Sequence, residues 1–445
     1  FAQTKQFRAD HSSNVTAKVY SDCASSEASN TRGLEETLRL GRQIQERAVR
    51  DQDGRPEWLG MVLGDDAERF SFGMVGMSLY SGNSGIAIFL KALAGQLRET
   101  GQTVAADSTQ LDAMKALLPL QEIASRNQAG VVLRWWRNQA LGMTGTGGIL
   151  LALQIMQHQS DGSVQWDFYA ETTETLLAGL RPERIRSDEQ LDILGGSSGL
   201  IGALLSIGND KALELATVAG ERLVATQDDK SGAWLIGGRF PRPLTGFSHG
   251  AAGVAAALAQ LHRVTGENRF LEAAERALAY EHLQFDQEKQ NWPDFRHSGA
   301  TAQFMTSWCH GAPGIALSRL CLRETSLWNN TRKEELDRAL QTTSTHATHI
   351  DHICCGSFGI SSILRIASEV TGAQQWREAA DRIEATAVAR ARQNNGNYEL
   401  LLDPPGMFTG KAGIGLALLR TPMAKIMTKE VISGGLLRNS GKSSV

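Results

Sequence analysis

Three of the five cysteines in this 445-residue chain fall in two short segments. One is Ser307-Trp308-Cys309-His310-Gly311-Ala312-Pro313-Gly314; the other is His352-Ile353-Cys354-Cys355-Gly356-Ser357-Phe358-Gly359. Each runs into a Gly-x-x-Gly step and then an apolar stretch. The thiols therefore belong to a turn just before a helix, not to the face of a core helix. Thiols at two such turns can converge on one soft metal ion, and zinc is the usual occupant. A free cysteine can also pack as a small apolar residue. The adjacent pair Cys354-Cys355 sends its side chains in different directions, which suits packing poorly. Cys321 sits inside an apolar run and reads as core, whereas Cys23 lies in a polar stretch and has no assigned role.

Histidine and aspartate near other glycine steps are the remaining candidates for chemistry. His249 stands beside Gly250, and Asp192 stands four residues before Gly196. A histidine with an ordinary pKa near 6.5 moves protons at neutral pH. An aspartate before a helix is either an N-cap or a carboxylate that orients a histidine. His310 follows Cys309 directly and is a ligand, a proton donor or a cavity residue. His346, His349 and His352 form a His-x-x-His-x-x-His run, read here as lining or supporting a loop, because the neighbouring thiols suit zinc better.

The elements that must position these residues form an internal repeat. Seven glycine steps end at Gly85, Gly148, Gly199, Gly253, Gly314, Gly359 and Gly413, each opening an apolar run such as Ile86-Ala87-Ile88-Phe89-Leu90. Intervals of roughly fifty residues leave room for two helices and two loops per unit. Segments between them, such as 268–285, 333–345 and 373–393, carry one apolar stripe among many charges, the mark of a helix with one wet face. Period-two strand patterns are scarce. The expectation is an all-α, seven-unit α/α toroid: a ring of buried inner helices wrapped by amphipathic outer ones. Every glycine step then falls at one end of the ring, facing a shared cavity. An open solenoid is the competing arrangement.

The domain reading is 1–33 as a linker or the end of a preceding domain, 34–70 as a helical lead-in, 71–421 as the repeat domain and 422–445 as a polar tail. A net charge of -3 without a basic stripe argues against nucleic acid. No apolar run reaches the ~20 residues of a membrane span, and residues 1–30 lack the apolar segment of a signal peptide. Sparse cysteines without a disulfide framework suggest a reducing, cytoplasmic setting. A chain that starts at Phe1 reads as a piece of something longer.

Taken together, Trp308-Cys309-His310-Gly311, the cysteine triplet ending in Gly356, Gly246-Phe247-Ser248-His249-Gly250, Leu191-Asp192-Ile193-Leu194-Gly195-Gly196 and Met407-Phe408-Thr409-Gly410-Lys411-Ala412-Gly413 resemble the lanthionine synthetase C-like cyclases. The likeness spans about residues 70–420. Where that family usually has Cys-His-Gly, this chain has Cys354-Cys355-Gly356, which is similar to the cyclase domain of substrate-tolerant class II lanthipeptide synthetases. An arginine that many relatives carry four residues before the first metal cysteine is Met305 here. The resemblance implies Zn²⁺ held by Cys309, Cys354 and Cys355, with an open fourth position for a peptide thiolate. It implies proton transfer by His249, supported by Asp192. Trp308 reads as a wall of the pocket that keeps water out or as ordinary core packing, and the two are compatible. The substrate would be a dehydrated precursor peptide, leader plus core, and the partner an upstream dehydratase domain. The reaction would add cysteine thiols to dehydroalanine or dehydrobutyrine. A glutathione-binding or glutathione-adding relative, a zinc thiol prenyltransferase-like barrel and a catalytically inert scaffold are the alternatives; six repeats and Asp, Cys and His ligands would mark the prenyltransferase type. Oligomeric state and ring pattern are not encoded in these motifs.

Overall fold

The computed structural model describes residues 26–63, 70–125, 134, 139–158, 165–236, 240, 242–296 and 303–437. All seven glycine steps open helices: Asn83–Glu99, Thr146–His158, Ser197–Ile207, Ala251–Thr265, Ala312–Leu322, Ser357–Thr371 and Lys411–Leu418. These inner helices are apolar nearly all round and buried accordingly; Ala312–Leu322 is buried at every position. Each packs on the next, and the seventh packs on the first, so the ring is closed. Six inner helices are backed by the amphipathic helix that follows them in the chain: Thr103–Lys115, Gln165–Gly179, Asp210–Thr226, Asn268–Leu283, Asn330–Thr345 and Gln374–Gln393. Asn268–Leu283 shows the principle, burying Phe270, Ala273, Ala274, Ala277 and Leu278 on one stripe. The all-α, seven-unit toroid expected from the glycine repeat is the fold.

The seventh outer position is filled from the other end of the chain. Helix Ser26–Glu46 packs against Lys411–Leu418, so the helical lead-in begins inside the stretch read as linker. Residues 1–25, with Cys23, lie outside the described residues. Two short antiparallel pairs follow, Val49–Arg50 with Pro56–Glu57 and Leu59–Leu63 with Phe70–Met74.

At the C-terminus the structure departs from the polar tail expected over 422–445. Pro422–Ser433 is a helix capped by Thr421, whose side chain accepts the Ala424 N–H. It buries Met427, Val431 and Ile432, and Leu436 and Leu437 are buried after it. Its apolar residues are interleaved with Lys425, Lys429 and Glu430, and the ring supplies the surface that makes them core: the Ile432 carbonyl takes the Trp308 indole N–H at 2.8 Å, and the Gly434 carbonyl lies against Gly202 of the third inner helix. Residues 438–445 lie outside the described residues.

The glycine steps have a steric cause. A Cβ on the last glycine would meet the carbonyl of the turn six residues earlier, at 1.9 Å from Phe247 O for Gly253 and 1.8 Å from Ile353 O for Gly359. Only a residue without a side chain lets the turn fold back onto the first helical turn. The turns so formed all lie at one end of the ring and are stitched to their neighbours by backbone hydrogen bonds. Met143 N–H donates to Ile193 O, Ile193 N–H to Ser248 O, Ser248 N–H to Cys309 O, Cys354 N–H to Phe408 O and Phe408 N–H to Tyr80 O. Among the described residues no such bond joins the fifth turn to the sixth, or the first to the second.

Candidate active site

The three cysteines come together at the joint between the fifth and sixth turns. Their sulfurs all lie within 4.8 Å of one another, with Cys309 Sγ 3.6 Å from Cys355 Sγ and Cys355 Sγ 3.5 Å from Cys354 Sγ. Tetrahedral Zn–S bonds of about 2.3 Å place sulfurs about 3.8 Å apart, so the cluster has the size of a zinc site. Its protonation chemistry fits as well. Hydrogen bonds from the Cys354 and Cys355 thiols pull Cys309 well below the ordinary thiol value. The same clustering, with burial, pushes Cys354 and Cys355 upward. One negative charge forms readily here and three do not, unless a cation offsets them. The residues present therefore fit a thiophilic divalent ion. The three cysteines form a possible metal-binding group, and it is the only cluster of its kind among the described residues.

Surrounding groups hold the sulfurs in place. Ser307 Oγ is 3.2 Å from Cys309 Sγ, and His352 Nδ1 accepts the Cys355 N–H at 3.2 Å. His352 thus fixes the loop, while His346 and His349 sit apart from the thiols, His349 exposed. Tyr80 lies beside the cluster, stacked on Phe408 with ring centroids 5.0 Å apart; burial and the Cys354 and Cys355 charges raise its hydroxyl pKa well above normal. No local motif announces Tyr80, because it reaches the site from the first repeat. Trp308 is fully buried and turned toward the ring centre, against Phe247 and Phe408. Cys321 is buried in the fifth inner helix, as core.

His249 and Asp192 also meet. His249 Nδ1 is 2.6 Å from Asp192 Oδ2, with the aspartate side chain 2% exposed and the histidine 31%. Burial lowers the imidazole pKa, but the Asp192 charge and hydrogen bond, with help from Cys309, outweigh it and raise the value overall. Asp192 is not the helix N-cap. Gly196 holds that position, Asp192 Oδ1 takes the Gly195 N–H, and the capping work falls to Asp188, whose Oδ2 accepts from Ser197 N, Ser197 Oγ and Leu191 N. His310 stacks on His249 with centroids 5.9 Å apart. It is buried, neither ring nitrogen has a hydrogen-bond partner among the described residues, and burial pushes its pKa down to about 4. At Met305, where the resemblance led to the loss of an arginine, a guanidinium is nevertheless present: Arg296 Nη2 lies 2.9 Å from the Met305 sulfur.

A closed double ring of helices with a three-thiol cluster and a His–Asp pair at one mouth defines an α/α toroid with a metal-type site. The family model for lanthionine synthetase C-like proteins matches residues 73–427, and the chain belongs to that family. Among solved structures, nisin cyclase is similar at 16% identity and a TM-score of 0.57, covering 80% of this chain and 93% of that one. A GH76 α-mannanase from Bacteroides thetaiotaomicron matches at 12% identity and a TM-score of 0.43, covering 91% and 94% of the two chains. A GH76A α-1,6-mannanase from Salegentibacter matches at 13% and 0.42, covering 71% and 98%. A comparison with curated proteins gives no match. No helix among the described residues is long and apolar enough to cross a membrane.

Proposed function

We propose that this protein closes thioether rings in dehydrated precursor peptides, joining cysteine thiols to dehydroalanine or dehydrobutyrine. The observation that carries the reading is the thiol cluster at one mouth of the toroid, beside a His–Asp pair. Family membership and the fold shared with nisin cyclase support it. Cys309, Cys354 and Cys355 would hold Zn²⁺, which when bound supplies a Lewis acid able to lower the pKa of a peptide thiol taking the fourth position. The chain itself does the rest. Ser307 and His352 keep the sulfurs in register. Asp192 accepts the His249 Nδ1–H, leaving Nε2 as the nitrogen that handles protons. The peptide sulfur bonds to Cβ of the unsaturated residue, the Cα=Cβ pair becomes the Cα=C bond of an enolate whose charge rests on the carbonyl oxygen, and His249 delivers a proton to Cα. The thiol proton balances that delivery, so the product is an isomer of the substrate. A positioned acid of this kind contributes about 10²–10⁴-fold. Ring closure takes place in the cytoplasm in this reading, with the peptide passed on from a dehydratase domain.

The test is incubation of the zinc-loaded protein with a dehydrated, cysteine-containing peptide. Free thiol should disappear at constant peptide mass, with one zinc per chain. Unchanged thiol titre, or a chain that binds no zinc, refutes the reading.

A further inference from the structure

Addition to a dehydro residue places negative charge on its carbonyl oxygen, next to a cluster that already gathers three sulfurs. A cation has to meet it, and the structure holds one. Arg296 is clamped by Asp294: Nε is 3.0 Å from Oδ1, and Nη2 is 2.7 Å from Oδ2. Asp294 is itself anchored, 3% exposed, with its N–H donating to Gln303 O at 2.7 Å. Met305 Sδ closes the same edge of the guanidinium at 2.9 Å. Nη1, with both its N–H bonds, has no protein partner among the described residues, and the side chain is 29% exposed. The charge acts directly on the site: it bears on His249 and His310, and Cys309 and Cys355 bear on it. An arginine held by one edge, with its other end unspent, beside thiols and a proton donor, is an arrangement for receiving an oxyanion.

We propose that Arg296, oriented by Asp294, binds the carbonyl oxygen of the acceptor residue through Nη1 and holds the enolate charge as the sulfur adds. The inference rests on the thioether-forming reading above. The balance is complete: the S–Cβ bond forms, the Cα=Cβ pair becomes the Cα=C bond of the enolate while the C=O pair settles on the oxygen, Arg296 donates hydrogen bonds to that oxygen without losing a proton, and protonation at Cα restores the carbonyl. No group leaves. Asp294 is a positioning residue, since it acts only through the guanidinium.

The experiment compares parent, Arg296→Met, Arg296→Lys, Asp294→Asn and the double variant Arg296→Met/Met305→Arg on one dehydrated peptide. Zinc content and melting temperature are measured beside kcat and KM. Arg296→Met should keep its zinc and lose kcat by about 10²–10³-fold, the cost of removing one oxyanion donor, with KM little changed. Arg296→Lys, which keeps the charge without the fork, should fall between that variant and the parent. Asp294→Asn should lose about tenfold in kcat alone. Because Met305 touches the guanidinium, an arginine at 305 can reach the same space and should restore at least tenfold to the double variant. Parental kcat in Arg296→Met overturns the proposal, as does a loss that tracks zinc content in Arg296→Met and Arg296→Lys alike. If Arg296→Met does not fold, parental kcat in Arg296→Lys together with parental kcat in Asp294→Asn overturns it. A parent that closes no ring overturns the underlying reading, and this inference with it, before any variant is compared.

Discussion

Asp192→Asn separates charge from shape at the His249 pair. The amide oxygen can still accept the Gly195 N–H, as Asp192 Oδ1 does at 2.6 Å. Its NH₂ group then occupies the place of Oδ2, facing His249 Nδ1, and two donors cannot share that contact. The imidazole must turn to the tautomer with its proton on Nε2, and it loses a charge-assisted bond of 2.6 Å. Such a bond is worth roughly 1.5–3 kcal/mol, which corresponds to about a 10- to 150-fold fall in the rate of ring closure. The pH dependence has a defined sign. In the parent His249 has a raised pKa, so its contribution to stability is complete below the unfolded value and fades as pH climbs through the folded one. In the variant that raising influence is gone. The basic limb of kcat should move to lower pH, and the melting-temperature gap between parent and variant should be wider at pH 6 than at pH 8. The assay is thiol loss from a dehydrated peptide between pH 5.5 and 9, with melting curves at the same points. A variant whose rate and pH profile match the parent would refute the pairing of His249 with Asp192 as the proton-handling unit.

Other outcomes follow from single contacts. Cys354→Ser should drop zinc stoichiometry well below one per chain by elemental analysis and abolish ring closure, because a hydroxyl does not ionise to replace a thiolate ligand. Gly311→Ala should destabilise the fold by about 1–3 kcal/mol in denaturant titration: Gly311 has φ +73, and a Cβ there would lie 1.8 Å from Met305 O. Glu281 takes the Gly246 and Ala252 N–H groups on Oε1 while Oε2 has no partner among the described residues, and burial pushes its carboxyl up to about 8. The folded chain thus keeps this proton after the unfolded chain has released it, so stability declines from the ordinary glutamate range up to about pH 8. Glu281→Gln should remove that decline, and melting curves at pH 5 and pH 8 will show the variant gaining on the parent at the higher pH.

The local parts of this architecture are legible in the chain, and the non-local parts are not. Glycine steps can be read because the steric demand at Gly253 or Gly359 arises within six residues. The thiol cluster can be read because cysteines are few and both segments precede a glycine step. Asp192 and Asp188 precede the same glycine, so nothing local says which one caps Ser197 and which one reaches His249; the fourth turn decides. Arg296 gives no signal at all, since its neighbours at the site, Met305 among them, are brought beside it by the tertiary fold and not by any local motif. The helix at 422–433 escapes notice for a similar reason. Ala424, Met427 and Val431 do recur at helical spacing, but Lys425, Lys429 and Glu430 among them make the segment read as a polar end, and only the hollow of a finished ring supplies the surface that buries them.

The stitched mouth of the ring has a gap at the very joint where Cys309 faces Cys354 and Cys355. On either side of it a peptide N–H does the joining, Ser248 to Cys309 and Cys354 to Phe408; there, three sulfurs stand where a strut would be. An ion gripped by them would serve as clasp as well as reagent, tying the fifth unit to the sixth. Stripping it should let that one joint breathe while its stitched neighbours stay shut, and amide exchange at Cys309 and Cys355 would quicken first. A visiting peptide would then find the wheel most pliant at the spot where it has to be gripped.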